Sequence, residues 1–165
     1  MRIQALALVA TLVFAAGNVR AQAADPKADE AALKYRQSLM EAIGGDMAAI
    51  GDILKYGMNL PGHVAVHADS LAAHSKLVAA AFERKVTAGP TDSEPAIWEK
   101  PEEFAQKVKN FETETAKLAE VARGSDPAAL GAQVKAVGKS CGGCHEGFRK
   151  PKEESFKRKM GGGDH

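Results

Sequence analysis

Cysteine is scarce in this chain of 165 residues, and Cys141 and Cys144 are its only two cysteines. A disulfide between them would close a very short loop, so it would stabilise the fold little through loop entropy. A structural zinc site needs four ligands, usually from a second pair of cysteines or histidines. Only His165 remains downstream of the adjacent His145. Structural stability and zinc binding are therefore poor explanations for the two thiols.

A strong net charge is also absent. The 22 basic residues nearly balance the 21 acidic ones, and the formal net charge is +1. This balance argues against bulk nucleic-acid binding. Basic residues cluster only near the C-terminus, at Arg149, Lys150, Lys152, Lys157, Arg158 and Lys159.

Long apolar runs are missing beyond the N-terminus. Arg2 precedes an uncharged apolar run from Ile3 to Ala16, and Ala21-Gln22-Ala23 has the small-x-small form of a cleavage site. This pattern predicts a signal peptide over residues 1–23, cleaved after Ala23 or alternatively after Ala21, and export to the periplasm. No membrane association is expected after cleavage. An exported pair of thiols should be oxidised or consumed by chemistry.

Strand-like alternation is absent too, and four segments show helical periodicity instead. In the first, Leu33, Met40, Met47 and Leu54 recur every seven residues, and Gly44-Gly45 could kink the helix. We expect an all-α antiparallel four-helix bundle over residues 24–150, followed by a basic, flexible tail over 151–165. The predicted helices cover residues 25–56, 63–85, 101–123 and 127–151.

The segment "KSCGGCHEGFRK", residues 139–150, lies on the fourth predicted helix. Cys141 and Cys144 then face the same side, and His145 lies four residues after Cys141 over the same surface. Two thiols so arranged can add to the two vinyl groups of a haem, while the imidazole reaches the iron. A thioredoxin-type redox site would need an α/β context that this sequence lacks. The motif therefore predicts one covalent haem c, attached through Cys141 and Cys144.

With these features, the chain resembles the class II c-type cytochromes, the cytochrome c′ family. The similarity covers residues 31–150 and is carried by "KYRQSLM", "PAIWEKPEEF" and "CGGCHEGFRK". It implies a periplasmic four-helix bundle that binds haem near its C-terminal helix. The tail after Lys150 departs from the short ending usual in the family.

The resemblance bears on the iron position opposite His145. High-spin members carry an apolar, non-ligating residue there, and members of the low-spin branch carry methionine; alignment on "KYRQS" places Met40 at this position. A thioether is a soft ligand that raises the reduction potential of haem iron. The alternatives are that Met40 fills the core, that Met47 is the ligand instead, or that a histidine such as His63 or His67 is. Met58, near the end of the first predicted helix, is a weaker candidate.

Further site residues follow from the same resemblance. Arg36 and Gln37 match positions that contact the haem propionates or line the pocket, and a guanidinium pairs well with a carboxylate. Arg149 matches a basic residue close to the proximal histidine.

The function first expected is electron transfer without enzymatic turnover. The iron would cycle between Fe(III) and Fe(II), with His145 and Met40 as its axial ligands and weak docking to redox proteins. The alternative is a high-spin cytochrome c′ whose open distal site binds nitric oxide or carbon monoxide. Either a monomer or a homodimer fits the sequence.

Overall fold

The computed structural model describes residues 25–156, so the predicted signal peptide, residues 1–23, and residues 157–165 of the predicted tail lie outside the described part of the chain. The described elements are, in order, α1 (Pro26–Lys55), α2 (His63–Ser75), α3 (Val78–Ala81), α4 (Ala96–Glu99), α5 (Pro101–Val121), α6 (Pro127–Phe148) and a 3-10 turn (Lys152–Glu154). Among these elements, none is long and apolar enough to cross a membrane. Within residues 25–156, extended pairing is limited to one isolated bridge between Ser93 and Arg149.

Two aspartates explain where the longest helices begin. The side chain of Asp25 accepts hydrogen bonds from the main-chain N–H groups of residues 27 and 28, and Asp126 does the same for residues 128 and 129. Each aspartate precedes a proline, whose fixed φ suits the first turn of a helix. Helix α1 continues through Gly44-Gly45 without a break.

The second predicted helix is shorter than expected. Residues 63–85 were predicted to form one helix, but α2 ends at Ser75 and a single turn, α3, follows it. At the break, the N–H of Leu77 bonds to the oxygen of His74 at 3.0 Å, a three-residue step that tightens the chain. The prediction of a continuous helix was therefore wrong. Neither proline nor glycine occurs at the break, so the sequence offers no local signal for it.

The four long helices pack in sequence, α1 on α2, α2 on α5 and α5 on α6. The described chain is all-helical and forms the predicted four-helix bundle. The segment before α5, which includes α4, also packs on the bundle, since Ile97 is buried and the indole nitrogen of Trp98 donates to the oxygen of Phe82 at 2.8 Å. Fully buried core side chains include Ile50, Leu71, Leu118 and Val137.

Candidate haem site

A cavity of about 530 Å³ lies among α1, α5 and α6. Its size falls within the range of cofactor pockets, and its walls are mostly apolar, as such pockets usually are. All seven residues predicted to bind the cofactor line this one cavity: Arg36, Gln37, Met40, Cys141, Cys144, His145 and Arg149. The apolar walls include Leu33, Ile43, Met47, Val78, Phe82, Ile97, Phe104, Val108, Phe111 and Phe148.

The two cysteines present free, half-buried thiols to the cavity from α6. Burial raises the pKa of both thiols above the ordinary value. For Cys144, the nearby cation of Lys107 partly opposes this effect. The thiols are therefore held mainly protonated near neutral pH.

His145 follows the cysteines at the end of the same turn of α6 and lies at the cavity rim. Packing around its ring lowers the imidazole pKa, and the positive charge of Arg149 lowers it further. Arg149 lies 3.6 Å from the carboxylate of Asp92 and is itself partly exposed. These surroundings favour the neutral imidazole, which is the form that ligates a metal.

Met40 and Met47 both line the cavity from α1, across from the motif on α6. Both side chains are half-buried and pack against the core cluster. Met58 lies beyond the end of α1, is 47% exposed and does not line the cavity. The structure thus retains Met40 and Met47 as candidates for contact with the cofactor and disfavours Met58.

Two histidines of α2 contact an aspartate of α1 and do not line the cavity. His67 and His74 place their Nδ1 atoms 3.0 and 3.3 Å from the two carboxylate oxygens of Asp46 on α1. None of these side chains lines the cavity. No cluster of three or more potential metal ligands occurs within residues 25–156. The arrangement joins α1 to α2 and gives no support to His67 as a haem ligand.

Arg36 is almost completely buried, with 3% of its surface exposed. Its Nε atom donates to the oxygen of Ala81 at 2.7 Å, and Nη2 donates to the oxygen of Arg84. Burial lowers the pKa of the guanidinium, and Asp29 partly opposes this. Its Nη1 atom is buried without a hydrogen-bond partner in the protein. An unpaired donor of this kind beside the cavity suits a carboxylate such as a haem propionate.

Gln37 uses its amide differently, donating from Nε2 to the oxygen of Pro90 at 2.7 Å. It therefore anchors the loop before α4 to α1 while also lining the cavity. Two thiols and an imidazole at one wall, apolar surroundings and a free buried donor together fit a covalently attached haem.

Sequence reasoning missed several residues that line the cavity, among them Lys107, Asp92 and Phe156. Lys107 lies three residues after Phe104 and four before Phe111, which places it on the apolar face of α5. This spacing could have identified Lys107 as a cavity residue. Asp92 and Phe156 come from the loop before α4 and from the C-terminal segment. No local pattern marks these two residues.

Fold and site together define a c-type haem protein built on a four-helix bundle. The family model described as Cytochrome C′ matches residues 31–149. A cytochrome c′ of Rhodospirillum rubrum is 36% identical over 144 residues, which cover 86% of this chain and 95% of the relative. A cytochrome c-554 of Cereibacter sphaeroides is 34% identical over 154 residues, covering 89% and 96% of the two chains. This chain belongs to the cytochrome c′ family, and its predicted cofactor, haem c, is confirmed.

Solved structures agree with this assignment. Cytochrome c′ from Shewanella frigidimarina has a TM-score of 0.70 and 30% sequence identity, covering 74% of this chain and 97% of its own. The nitric oxide complex of a leucine-to-alanine mutant of cytochrome c′ from Alcaligenes xylosoxidans has a TM-score of 0.69 and 30% identity, with 75% and 97% coverage. These comparisons support the family as a whole and do not single out its low-spin branch.

Proposed function

We propose that this protein is an exported cytochrome c′ that binds nitric oxide or carbon monoxide at its single haem. The observation that carries this proposal is the mostly apolar cavity, which bears the Cys141, Cys144 and His145 motif of α6 and is also lined from α1 by Met40 and Met47. A small, uncharged ligand enters such a cavity without the desolvation cost that an ion would incur. The nitric oxide complexes of the Alcaligenes xylosoxidans protein support this proposal over electron transfer.

Each part of the cavity has a distinct role in the proposal. Cys141 and Cys144 would tether the cofactor, and His145 would bind its iron. Arg36 would hold a propionate through Nη1, the donor that the protein leaves unpaired. When bound, the haem supplies the iron coordination site and the Fe(III)/Fe(II) couple. Phe104, Val108 and Phe111 of α5 exclude water from the cavity.

Electron transfer is the second candidate function, and the position of Met40 favours it. Its thioether lies on the α1 wall of the cavity, where it could occupy the sixth iron position. In that case a gas would have to displace Met40, and the protein would exchange electrons with docked redox proteins. Neither candidate function turns over a substrate.

The spectrum of the haem-loaded protein separates the two functions. Ligation by Met40 gives the ferric protein a methionine-to-iron charge-transfer band in the near infrared. Gas binding at an open site instead gives a high-spin ferric spectrum and ready binding of carbon monoxide to the ferrous protein, which is the expected result. A charge-transfer band, together with failure of the ferrous protein to bind carbon monoxide, would contradict the gas-binding proposal and support electron transfer.

Two methionine variants identify the residue responsible if that band is found. Met40→Ala should abolish the band and open the iron to carbon monoxide, whereas Met47→Ala serves as the matched control from the same helix. The reverse result would assign the sixth position to Met47. Cell fractionation tests the proposed export, since a periplasmic haem protein should appear only when residues 1–23 are present.

A further inference from the structure

The chain after Pro151 turns back onto the bundle instead of leaving it. Residues 152–154 form a 3-10 turn, and the next two residues return to the loop before α4. Phe156 thereby lines the cavity beside Asp92, whose carboxylate also lies 3.6 Å from Arg149, the residue four positions after His145.

One carboxylate holds this segment in position. Oδ2 of Asp92 accepts a hydrogen bond from the hydroxyl of Ser155 at 2.7 Å, and Oδ1 accepts one from the main-chain N–H of Phe156 at 2.8 Å. The side chain of Asp92 is only 16% exposed, and Ser155 is 5% exposed. Hydrogen bonds to a charged acceptor are stronger than neutral ones, and a buried carboxylate requires such partners.

Main-chain contacts fix the base of the same segment. The N–H of Lys150 donates to the oxygen of Asp92 at 2.7 Å, and the Lys150 ammonium donates to the oxygen of Thr91 at 2.8 Å. The loop of residues 91–93 is thus bonded to the chain both before and after the turn at Pro151. The position of Phe156 is therefore determined by this loop.

The sequence of this segment indicates which side chain the hydrogen bonds to Asp92 hold in place. Between Pro151 and Phe156 the chain reads Lys-Glu-Glu-Ser, so Phe156 is the only large apolar residue of the segment. Ordering these residues costs conformational entropy, which the bonds to Asp92 and contact of one aromatic ring with the cavity must offset. The Lys-Glu-Glu residues are exposed and contribute little burial.

We propose that Phe156 closes the haem cavity at the His145 end and that Asp92 is the residue that positions it. The C-terminal segment then controls how readily water reaches this end of the cavity. This inference rests on the proposed haem site, but it concerns a wall that belongs to this chain's own C-terminal extension.

The positioning role of Asp92 is tested by hydrogen exchange of the Phe156 amide in the haem-loaded protein. Asp92→Asn and Ser155→Ala should each accelerate exchange, and Asp92→Asn by about tenfold, because the amide loses a charged acceptor. Glu153→Gln, an exposed change on the same segment, is the control and should leave the rate unchanged. Equal exchange rates in wild type and Asp92→Asn would overturn this role.

The covering role of Phe156 is tested by the reduction potential of the haem-loaded protein. Phe156→Ala should lower the potential, because water reaching the haem stabilises the more positive ferric form, whereas Phe156→Leu should remain near wild type. Carbon monoxide binding is measured in parallel as the test of the proposed function.

These two readouts distinguish a failed cover from a failed gas-binding function. If neither wild type nor the variants bind carbon monoxide, the proposed gas function fails and the reduction potential alone decides the role of Phe156. If Phe156→Ala matches wild type in potential, the covering role is overturned.

Discussion

The Nε atom of Arg36 donates a hydrogen bond of 2.7 Å to the main-chain oxygen of Ala81, 45 residues further along the chain. The bond joins the middle of α1 to the last residue of α3, and Nη2 extends the link to Arg84. The guanidinium also lies 4.9 Å from the ring centroid of Phe82 and 5.3 Å from that of Trp98. Arg36 is therefore a structural junction of the cavity wall as well as a candidate propionate ligand.

Replacing Arg36 by alanine should destabilise the haem-loaded protein by about 2–4 kcal/mol, since it removes two charge-assisted hydrogen bonds and leaves a buried carbonyl oxygen unpaired. The free energy of unfolding in guanidinium chloride measures this loss. Arg123→Ala is the matched control, because Arg123 also bonds a carbonyl oxygen and a carboxylate but its side chain is 57% exposed. Its cost should stay below about 1 kcal/mol. Similar losses for both variants would contradict the junction role.

The thiols before haem attachment should react at unusually high pH. Burial raises the pKa of Cys141 and Cys144, and only the thiolate is nucleophilic. Iodoacetamide alkylation of the haem-free protein should therefore rise with pH along a curve displaced upward from that of free cysteine. In urea the upward displacement of this alkylation curve should vanish. Coincident alkylation curves in buffer and in urea would refute the prediction.

Lys107 provides a comparison between the two thiols. Its cation lowers the pKa of Cys144 and does not act on that of Cys141. Lys107→Ala should consequently move the alkylation curve of Cys144 to still higher pH and leave that of Cys141 in place. Peptide mapping of the alkylated sites separates the two curves. A shift of both curves together would point to a general change in folding instead.

Periodicity predicted the bundle but misplaced part of the first core stripe. Leu33, Met40, Met47 and Leu54 are seven residues apart, and a straight α-helix drifts by about 20° over each such interval. By Leu54 the stripe has rotated outward, and this side chain is 38% exposed, while Ile50 and Ile53 are buried. A local pattern identifies the helix, but it does not follow the rotation of the buried face.

Long-range contacts account for what the sequence could not predict. The motif residues of α6 are three and four apart, so local geometry alone brings them to one wall. Asp92 and Phe156, by contrast, are 64 residues apart, and their contact depends on the completed fold. The burial of Arg36 likewise requires the break between α2 and α3, which brings the oxygens of Ala81 and Arg84 to its guanidinium.

A pair of buried hydroxyl groups joins α2 to α5. The Oγ1 atom of Thr115 lies 3.0 Å from the Oγ atom of Ser75 and also 3.0 and 3.1 Å from the main-chain oxygens of Phe111 and Glu112, so its single proton is shared among these acceptors. Ser75 donates to the oxygen of Ala72 at 2.9 Å, and both hydroxyl-bearing residues are fully buried. Thr115→Val keeps the shape but removes the donor, so it should cost about 1–2 kcal/mol. Unfolding of this variant, of Ser75→Ala and of the double variant should give a coupling of about 1 kcal/mol. Strict additivity would show that the hydroxyl contact contributes nothing.

The start of the haem-bearing helix depends on Asp126. Its carboxylate accepts bonds of 2.8 and 3.1 Å from the N–H groups of Ala128 and Ala129. Asp126→Ala should lower the free energy of unfolding by about 1 kcal/mol, whereas Asp126→Asn should cost only a few tenths, because asparagine still caps a helix. The haem spectrum should not change, since Cys141 to His145 lie at the opposite end of α6. A spectral change in Asp126→Ala would instead mean that fraying at the first turn reaches the cofactor, and that α6 is held less firmly by α5 than its packing indicates.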